Sequence, residues 1–217
     1  MKNLKNKLSN IRIAQLIIVA LMFITGAILY SYLPDMIPSH WNVNNEVDNW
    51  MPKNIGVWMM PAIALLMIIL FPLLQRIDPK KENYEKFKKA WEVIQLTLVI
   101  FFAHMYAVTM YISLHIEQSY LVGRLVTFGI GAMFVILGNY MGKVRHNYFV
   151  GLRTPWTLAD PEVWQKSQRF SGWMFVLGGL LMILNSILWI SPFYVLMIII
   201  AMIVVLPTFY SYWISRK

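Results

Sequence analysis

Six long apolar runs separated by short polar stretches organise this chain. They lie at Ile11–Leu33, Ile55–Leu74, Val93–His115, Leu121–Met141, Trp173–Trp189 and Phe193–Trp213. Each is close to the roughly 20 residues that a helix rising 1.5 Å per residue needs to cross a 30 Å hydrocarbon core. The pattern predicts an all-α polytopic membrane bundle of about six transmembrane helices. Between the last two runs stand only Trp189, Ile190, Ser191 and Pro192, a tight turn in which Pro192 lacks an N–H. The first run is too long for a signal-peptide core and has no small-residue cleavage site, so it reads as a retained anchor.

Two polar stretches depart from plain connectors. Residues 33–54 carry Pro34, Pro38 and Pro52, which forbid continuous helix, and Asn44, Asn45 and Asn49, which tolerate left-handed turns. A folded, hydrogen-bonded cap over the bundle is expected there. Residues 142–172 mix Tyr148, Phe149, Trp156, Trp164 and Phe170 with Arg145, Arg153, Lys166 and Arg169. Rings and cations together suit the headgroup layer, and also suit a binding surface. Asp160-Pro161-Glu162 reads as a helix start, with Asp as N-cap and Pro at the first position. That helix sets Trp164, Gln168 and Ser171 on one stripe and is expected to lie in the interface before the fifth span. Upstream, Gly151–Leu158 is expected to be extended around its proline. Near residue 80, Glu82/Lys86 and Glu85/Lys89 at i,i+4 spacing suggest that the third span begins with charged helical turns.

Composition agrees with a membrane class: 59% of residues are hydrophobic and 13% charged, too few charges to solvate a soluble surface of this size. Charge placement adds orientation. With the N-terminus cytoplasmic, the inner segments hold Lys2, Lys5, Lys7, Arg12, Arg76, Lys80, Lys81, Lys86, Lys88 and Lys89. They also hold Lys143, Arg145, Arg153, Lys166, Arg169, Arg216 and Lys217. Only Lys53 and Arg124 of the 19 basic residues are left outside, a bias that predicts both termini inside. The net charge of +9 is thereby a topology signal, and direct nucleic-acid binding is not expected. With no cysteine, neither disulfides nor thiol chemistry is available.

The chemistry-bearing residues are sparse. His40, Asp35, Asp48 and Glu46 offer metal ligands without the paired-His spacing of a zinc motif, so no metal is expected. Within the spans, His104 and Asn185 are intramembrane polar residues, with Asn139 late in the fourth span. Such residues are functional candidates by default; the competing expectation is a neutral group hydrogen-bonding a neighbouring helix. No Asp or Glu sits mid-span, which counts against ion coupling. Gly138-x-x-x-Gly142 offers close helix approach. There is no paired-His metalloprotease motif, Gly-x-Ser-x-Gly elbow or Gly-rich phosphate loop. An enzyme, and with it a cofactor, is not expected.

Several motifs carry a resemblance. Gly138-Asn-Tyr-Met-Gly-Lys143, Asn147-Tyr-Phe-Val-Gly-Leu-Arg-Thr-Pro-Trp-Thr-Leu158, Val163-Trp164 and Arg169-Phe170 resemble the signature of the SdpI family of bacterial membrane proteins. Leu33-Pro34, Ile37-Pro38, His40-Trp41-Asn42, Asp48 and Trp50 resemble the small domain of unknown function that commonly precedes it. The resemblance divides the chain into a two-span unit at 1–78 with an extracytoplasmic loop, and a four-span unit at 79–217 with a cytoplasmic motif loop. It implies an immunity protein of the bacterial cytoplasmic membrane, protecting against a secreted antimicrobial peptide toxin. It also implies signalling, in which a cytoplasmic helix-turn-helix repressor is held at the membrane.

On that reading the toxin meets His40, Trp41, Asn42, Asp48 and Trp50. A cytoplasmic partner, or the loop itself, uses Asn139, Lys143, Asn147, Tyr148, Arg153, Thr154, Pro155, Trp156, Thr157, Trp164 and Arg169, with membrane lipid around them. The chain departs from the family pattern where Ser167-Gln168-Arg169 replaces a Thr-His-Arg triplet, and where Asn45 and Val47 replace Gly and Pro. A small-solute transporter or channel and an envelope interaction protein remain the alternative readings.

Overall fold

The computed structural model describes residues 9–42, 44–190 and 192–217, excluding the side chains of 192 and 193. Lys2, Lys5, Lys7 and Ser191 lie outside the described residues. Helix α1 spans Asn10–Leu29, its first turn capped by the Ser9 hydroxyl, which accepts from the Arg12 amide at 3.2 Å. Strands β1 (Met36–Trp41) and β2 (Val47–Pro52) lead into α2 (Lys53–Ile77). A 3-10 segment at Lys81–Phe87 opens α3 (Lys88–Leu114), followed by α4 (Val122–Met141), the short α5 (Pro155–Ala159) and α6 (Pro161–Leu188). Helix α7 (Pro192–Ile200) runs through a π-helical turn at Ala201–Val205 into α8 (Leu206–Ser215). Six helical segments are long and apolar enough to cross a membrane, so the expected bundle is found.

Three local expectations are corrected. The first span stops at Leu29 rather than Leu33, because the chain turns there, with the Tyr32 and Leu33 amides both donating back to Leu29 O. The stretch from Asp160 is no separate interfacial helix: α6 runs unbroken from Pro161 to Leu188. Its first turns are buried against protein on the Trp164, Gln168 and Ser171 side, which removes any reason to bend along the membrane surface. Lys86 turns to Asn83 Oδ1 at 2.8 Å instead of to Glu82, since a 3-10 segment does not stack residues four apart.

The cap is an antiparallel hairpin, the only sheet among the described residues. Pro38 and Pro52 are tolerated because in a two-stranded sheet every strand is an edge. Pro38 pairs with Trp50, His40 with Asn49 and Trp41 with Val47, leaving Ser39 and Asp48 as extra residues at irregular points of the ladder. At the connection Asn45 takes φ 64°, the left-handed conformation that asparagine accepts readily. Lys53 knots the hairpin base: its Nζ reaches Leu33 O and the Asp35 carboxylate, both at 3.1 Å.

Helix α3 is central, packing against α1, α2 and α4. One core gathers Val19, Met22, Ile37, Val57, Val99 and Tyr106 beneath the hairpin; a second gathers Tyr84, Trp91, Ile94, Val144 and Trp164 at the opposite end. Helices α4 and α6 run antiparallel with backbones in contact. A Cβ on Gly138 would lie 2.6 Å from Gly172 O, and one on Gly179 2.6 Å from Gly131 O. Bilayer helices associate through such small-residue approaches because hydrocarbon gives little hydrophobic drive between them.

Candidate functional site

The residues singled out in the sequence gather at the two ends of the bundle, with His104 and Asn185 apart. At the hairpin end, His40 Nδ1 donates to Asp48 Oδ1 at 2.6 Å, an exposed pair across the strands. Asn42 organises the turn. Its side-chain oxygen accepts from the Asn44 and Glu46 amides at 2.9 and 3.0 Å, and its Nδ2 donates to Glu46 at 2.9 Å. Trp50 is 43% exposed, whereas Trp41 packs inward near Val108, Ile112 and Val122. Of the five predicted residues, His40, Asp48 and Trp50 face outward, Asn42 builds the turn, and Trp41 ties hairpin to bundle.

The opposite end is denser. Asn147, fully buried, folds the loop around itself: Nδ2 donates to the carbonyls of Arg145 and Val150, and Oδ1 accepts from the amides of Phe149 and Val150. Thr154 and Thr157 form a capping box that starts α5, with Pro155 at its first position. Residues 155–158 are therefore helical, which corrects the expectation that all of Gly151–Leu158 is extended; only the stretch before the proline is non-helical. The Trp164 indole donates to Val144 O at 3.0 Å. Arg153 Nη1 donates to Tyr148 O at 2.7 Å, clamping the loop onto itself. Trp156 stands edge-on to Tyr212, ring centres 5.0 Å apart, and the Lys143 ammonium lies 4.3 Å from the Tyr140 ring centre. Asn139 and Arg169 sit farther along, lining a groove of about 230 Å³ between α4 and α6 with Gly138, Gly142 and Trp173.

Several partners escaped the sequence reading. Asp78, 2% exposed, accepts from Lys80 N at 2.7 Å, the Tyr84 hydroxyl at 2.9 Å and Tyr148 N at 3.0 Å. The Lys80 ammonium donates to His146 Nδ1 at 2.9 Å, and Asn83 donates to His146 O. Burial first, and the Lys80 charge second, push the His146 imidazole below its ordinary value of 6.5. Gln168 closes on both sides of Leu152, accepting from its amide and donating to its carbonyl at 3.0 and 2.9 Å. The Thr154 and Ser211 hydroxyls meet at 3.1 Å, tying the loop to α8. Asp78 stands beside a basic run and reads in sequence as a solvated charge. Only its position at the border of an apolar span hinted otherwise.

Within the spans the two polar residues differ. His104 Nε2 donates to Leu125 O on α4 at 2.9 Å, the expected bond to a neighbouring helix. Asn185 instead serves its own helix end: its Oδ1 accepts from Ile190 N at 3.0 Å, just past the left-handed Trp189 at φ 55°.

Comparison with known proteins follows this division. Residues 143–211 match the SdpI/YfhL protein family, and residues 17–65 match a domain of unknown function, DUF1648. The C-terminal third of the chain is thus similar to the SdpI/YfhL protein family. Over 208 residues it is 29% identical to the Immunity protein SdpI of Bacillus subtilis (strain 168), covering 94% of this chain and 96% of that one. No solved structure matches it. The SdpI/YfhL segment contains the Asn147 hub, the capping box, Gln168 and Ser211, and so both sides of the contact between loop and last helix. The DUF1648 stretch contains the whole hairpin. Asp78, Tyr84 and His104 lie in neither.

Proposed function

We propose that this multi-pass membrane protein acts in a bacterial cytoplasmic membrane as an immunity protein against a secreted antimicrobial peptide toxin. The observation that carries the reading is the likeness along 94% of the chain to a protein named for immunity. The concentration of basic residues at one end supports an orientation with both termini cytoplasmic and the hairpin outside. An exported peptide then arrives on the hairpin side, where His40, Asp48 and Trp50 are exposed. The loop end faces the cytoplasm and offers Lys143, Tyr148 and Arg153 to a helix-turn-helix repressor, the signalling half of the proposal.

Two experiments test this. In the cysteine-free chain, Asn44→Cys should react with an impermeant maleimide on intact cells, and Glu162→Cys only after permeabilisation. Labelling of both from outside refutes the orientation. Toxin-sensitive cells expressing the chain should survive challenge by a toxin-producing strain at least tenfold better than cells with empty vector. Equal survival refutes immunity.

A further inference from the structure

Beneath the hairpin lies a cavity of about 330 Å³ between β1 and helices α2, α3 and α4. Its wall is methionine-rich, with Met51, Met59, Met60 and Met105 contributing. Unbranched thioethers adapt to ligand shape and recur where proteins accept varied peptides. Three further wall residues carry buried polar atoms that meet no hydrogen-bond partner: Ser39 Oγ, Trp41 Nε1 and the Tyr106 hydroxyl, the last against Gly26 of α1. Buried polar groups in folded proteins are ordinarily satisfied, and each exception calls for an explanation. An indole N–H can only donate, and hydroxyls donate readily. What these groups lack is an acceptor.

The wall also limits what the occupant can be. Among the described lining residues there is no Lys or Arg, and His40, the one ionisable cation at the rim, is engaged with Asp48. A lipid phosphate would find no counter-charge. Size gives a second limit. One turn of a helix about 10 Å across occupies roughly 400 Å³, so the cavity takes anchoring side chains rather than a whole helix. A second cavity of about 260 Å³ adjoins it, sharing Asn42, Asn45, Gly123 and Val126 and continuing to Asn185 and Trp189. Gly123 separates the two, because a Cβ there would run into both Asn45 and Trp189.

We propose that the cavity beneath the hairpin receives an apolar side chain of the peptide toxin, and that Trp41 Nε1 and Ser39 Oγ, sealed from the cavity in the free protein, turn to donate to a main-chain carbonyl of that peptide. The adjoining cavity receives a second apolar anchor. The proposal rests on the immunity reading and deepens it. The exposed His40, Asp48 and Trp50 form the outer rim, and the discriminating contacts lie underneath.

The test uses the full chain in nanodiscs of phosphatidylethanolamine and phosphatidylglycerol, with Met105→Cys as reporter. The probes are N-acetyl-Leu-Phe-Leu amide and dihexanoylphosphatidylglycerol at matched millimolar concentration. The tripeptide should slow maleimide modification of the reporter at least threefold and the lipid should not. Adding Ser39→Ala and Trp41→Phe should raise the half-protecting concentration of tripeptide about tenfold. No slowing by tripeptide, or slowing by the lipid alone, overturns the proposal. In cells, Thr109→Trp should fill the cavity and abolish protection while circular dichroism of the purified variant stays that of the parent. The Ser39→Ala, Trp41→Phe pair provides the same comparison without added bulk. Full protection by both variants overturns the cavity site and leaves the immunity reading standing. A parent chain that gives no protection defeats the immunity reading, and the vesicle-free probe measurement still decides whether the cavity binds peptide.

Discussion

Replacing Asp78 with alanine tests the construction of the loop end most directly. The carboxylate is 2% exposed and accepts from three donors drawn from two distant parts of the chain. Without it, the Tyr84 hydroxyl and the Tyr148 amide lose their acceptor, and each orphaned donor costs about 1–3 kcal/mol. The Lys80 amide, at a partly exposed turn, turns to water and adds little. The expected loss is about 2–6 kcal/mol, against less than about 0.5 kcal/mol for the exposed control Glu82→Ala. The measurement is the free energy of unfolding in mixed micelles titrated with sodium dodecyl sulfate, followed by far-ultraviolet circular dichroism. Because Asp78 and Tyr84 share one bond, Asp78→Ala combined with Tyr84→Phe should be non-additive by about 0.5–3 kcal/mol. Asp78→Ala within 0.5 kcal/mol of the parent, or strict additivity of the pair, refutes the reasoning.

The folded state depresses the His146 pKa, so it binds fewer protons than the unfolded chain just below pH 6.5. Stability should be flat above about pH 7 and fall as pH drops through 6.5, and His146→Gln should remove that slope in the same denaturation assay. Gly151 sits at φ 109° with Gln168 Oε1 2.6 Å from where a Cβ would be. Gly151→Ala should cost about 1–3 kcal/mol in the same titration. Gly172→Leu should drive α6 off Gly138 O, seen as a lengthened α4–α6 distance between spin labels. His40→Ala breaks only an exposed side-chain hydrogen bond to Asp48, worth about 0–1 kcal/mol. It should leave the unfolding midpoint nearly unchanged, and a large drop there would make His40 structural rather than part of a toxin-facing rim.

The spans were legible because bilayer physics leaves a strong signature: 20-residue apolar runs and a one-sided distribution of Lys and Arg. The α6 start was equally plain in Asp160-Pro161. The hairpin was not, since its strands are short, proline-bearing and irregular at Ser39 and Asp48, which breaks the alternation that betrays a strand. For the loop, aromatic and basic residues drew attention to Arg153 and Trp156, yet the organising groups are Asp78, Asn147 and Gln168. Their importance comes from partners 70, 3 and 16 residues away. Only the short-range Asn147 pattern could have been read from neighbouring positions.

The loop end also imposes an order on biogenesis. Tyr148 waits for nothing when it reaches Asp78, which was made 70 residues earlier. Thr154, by contrast, meets Ser211, which follows it by 57 residues. At about 5–20 residues per second, that partner arrives roughly 3–11 s later. Throughout that interval the motif loop is complete in sequence but open on the side that α8 will close. A ribosome stall or truncation short of residue 211 would therefore leave the loop unsealed and open to protease on its side of the membrane. The protease sensitivity of this end is thus a report on whether the final helix has packed against it.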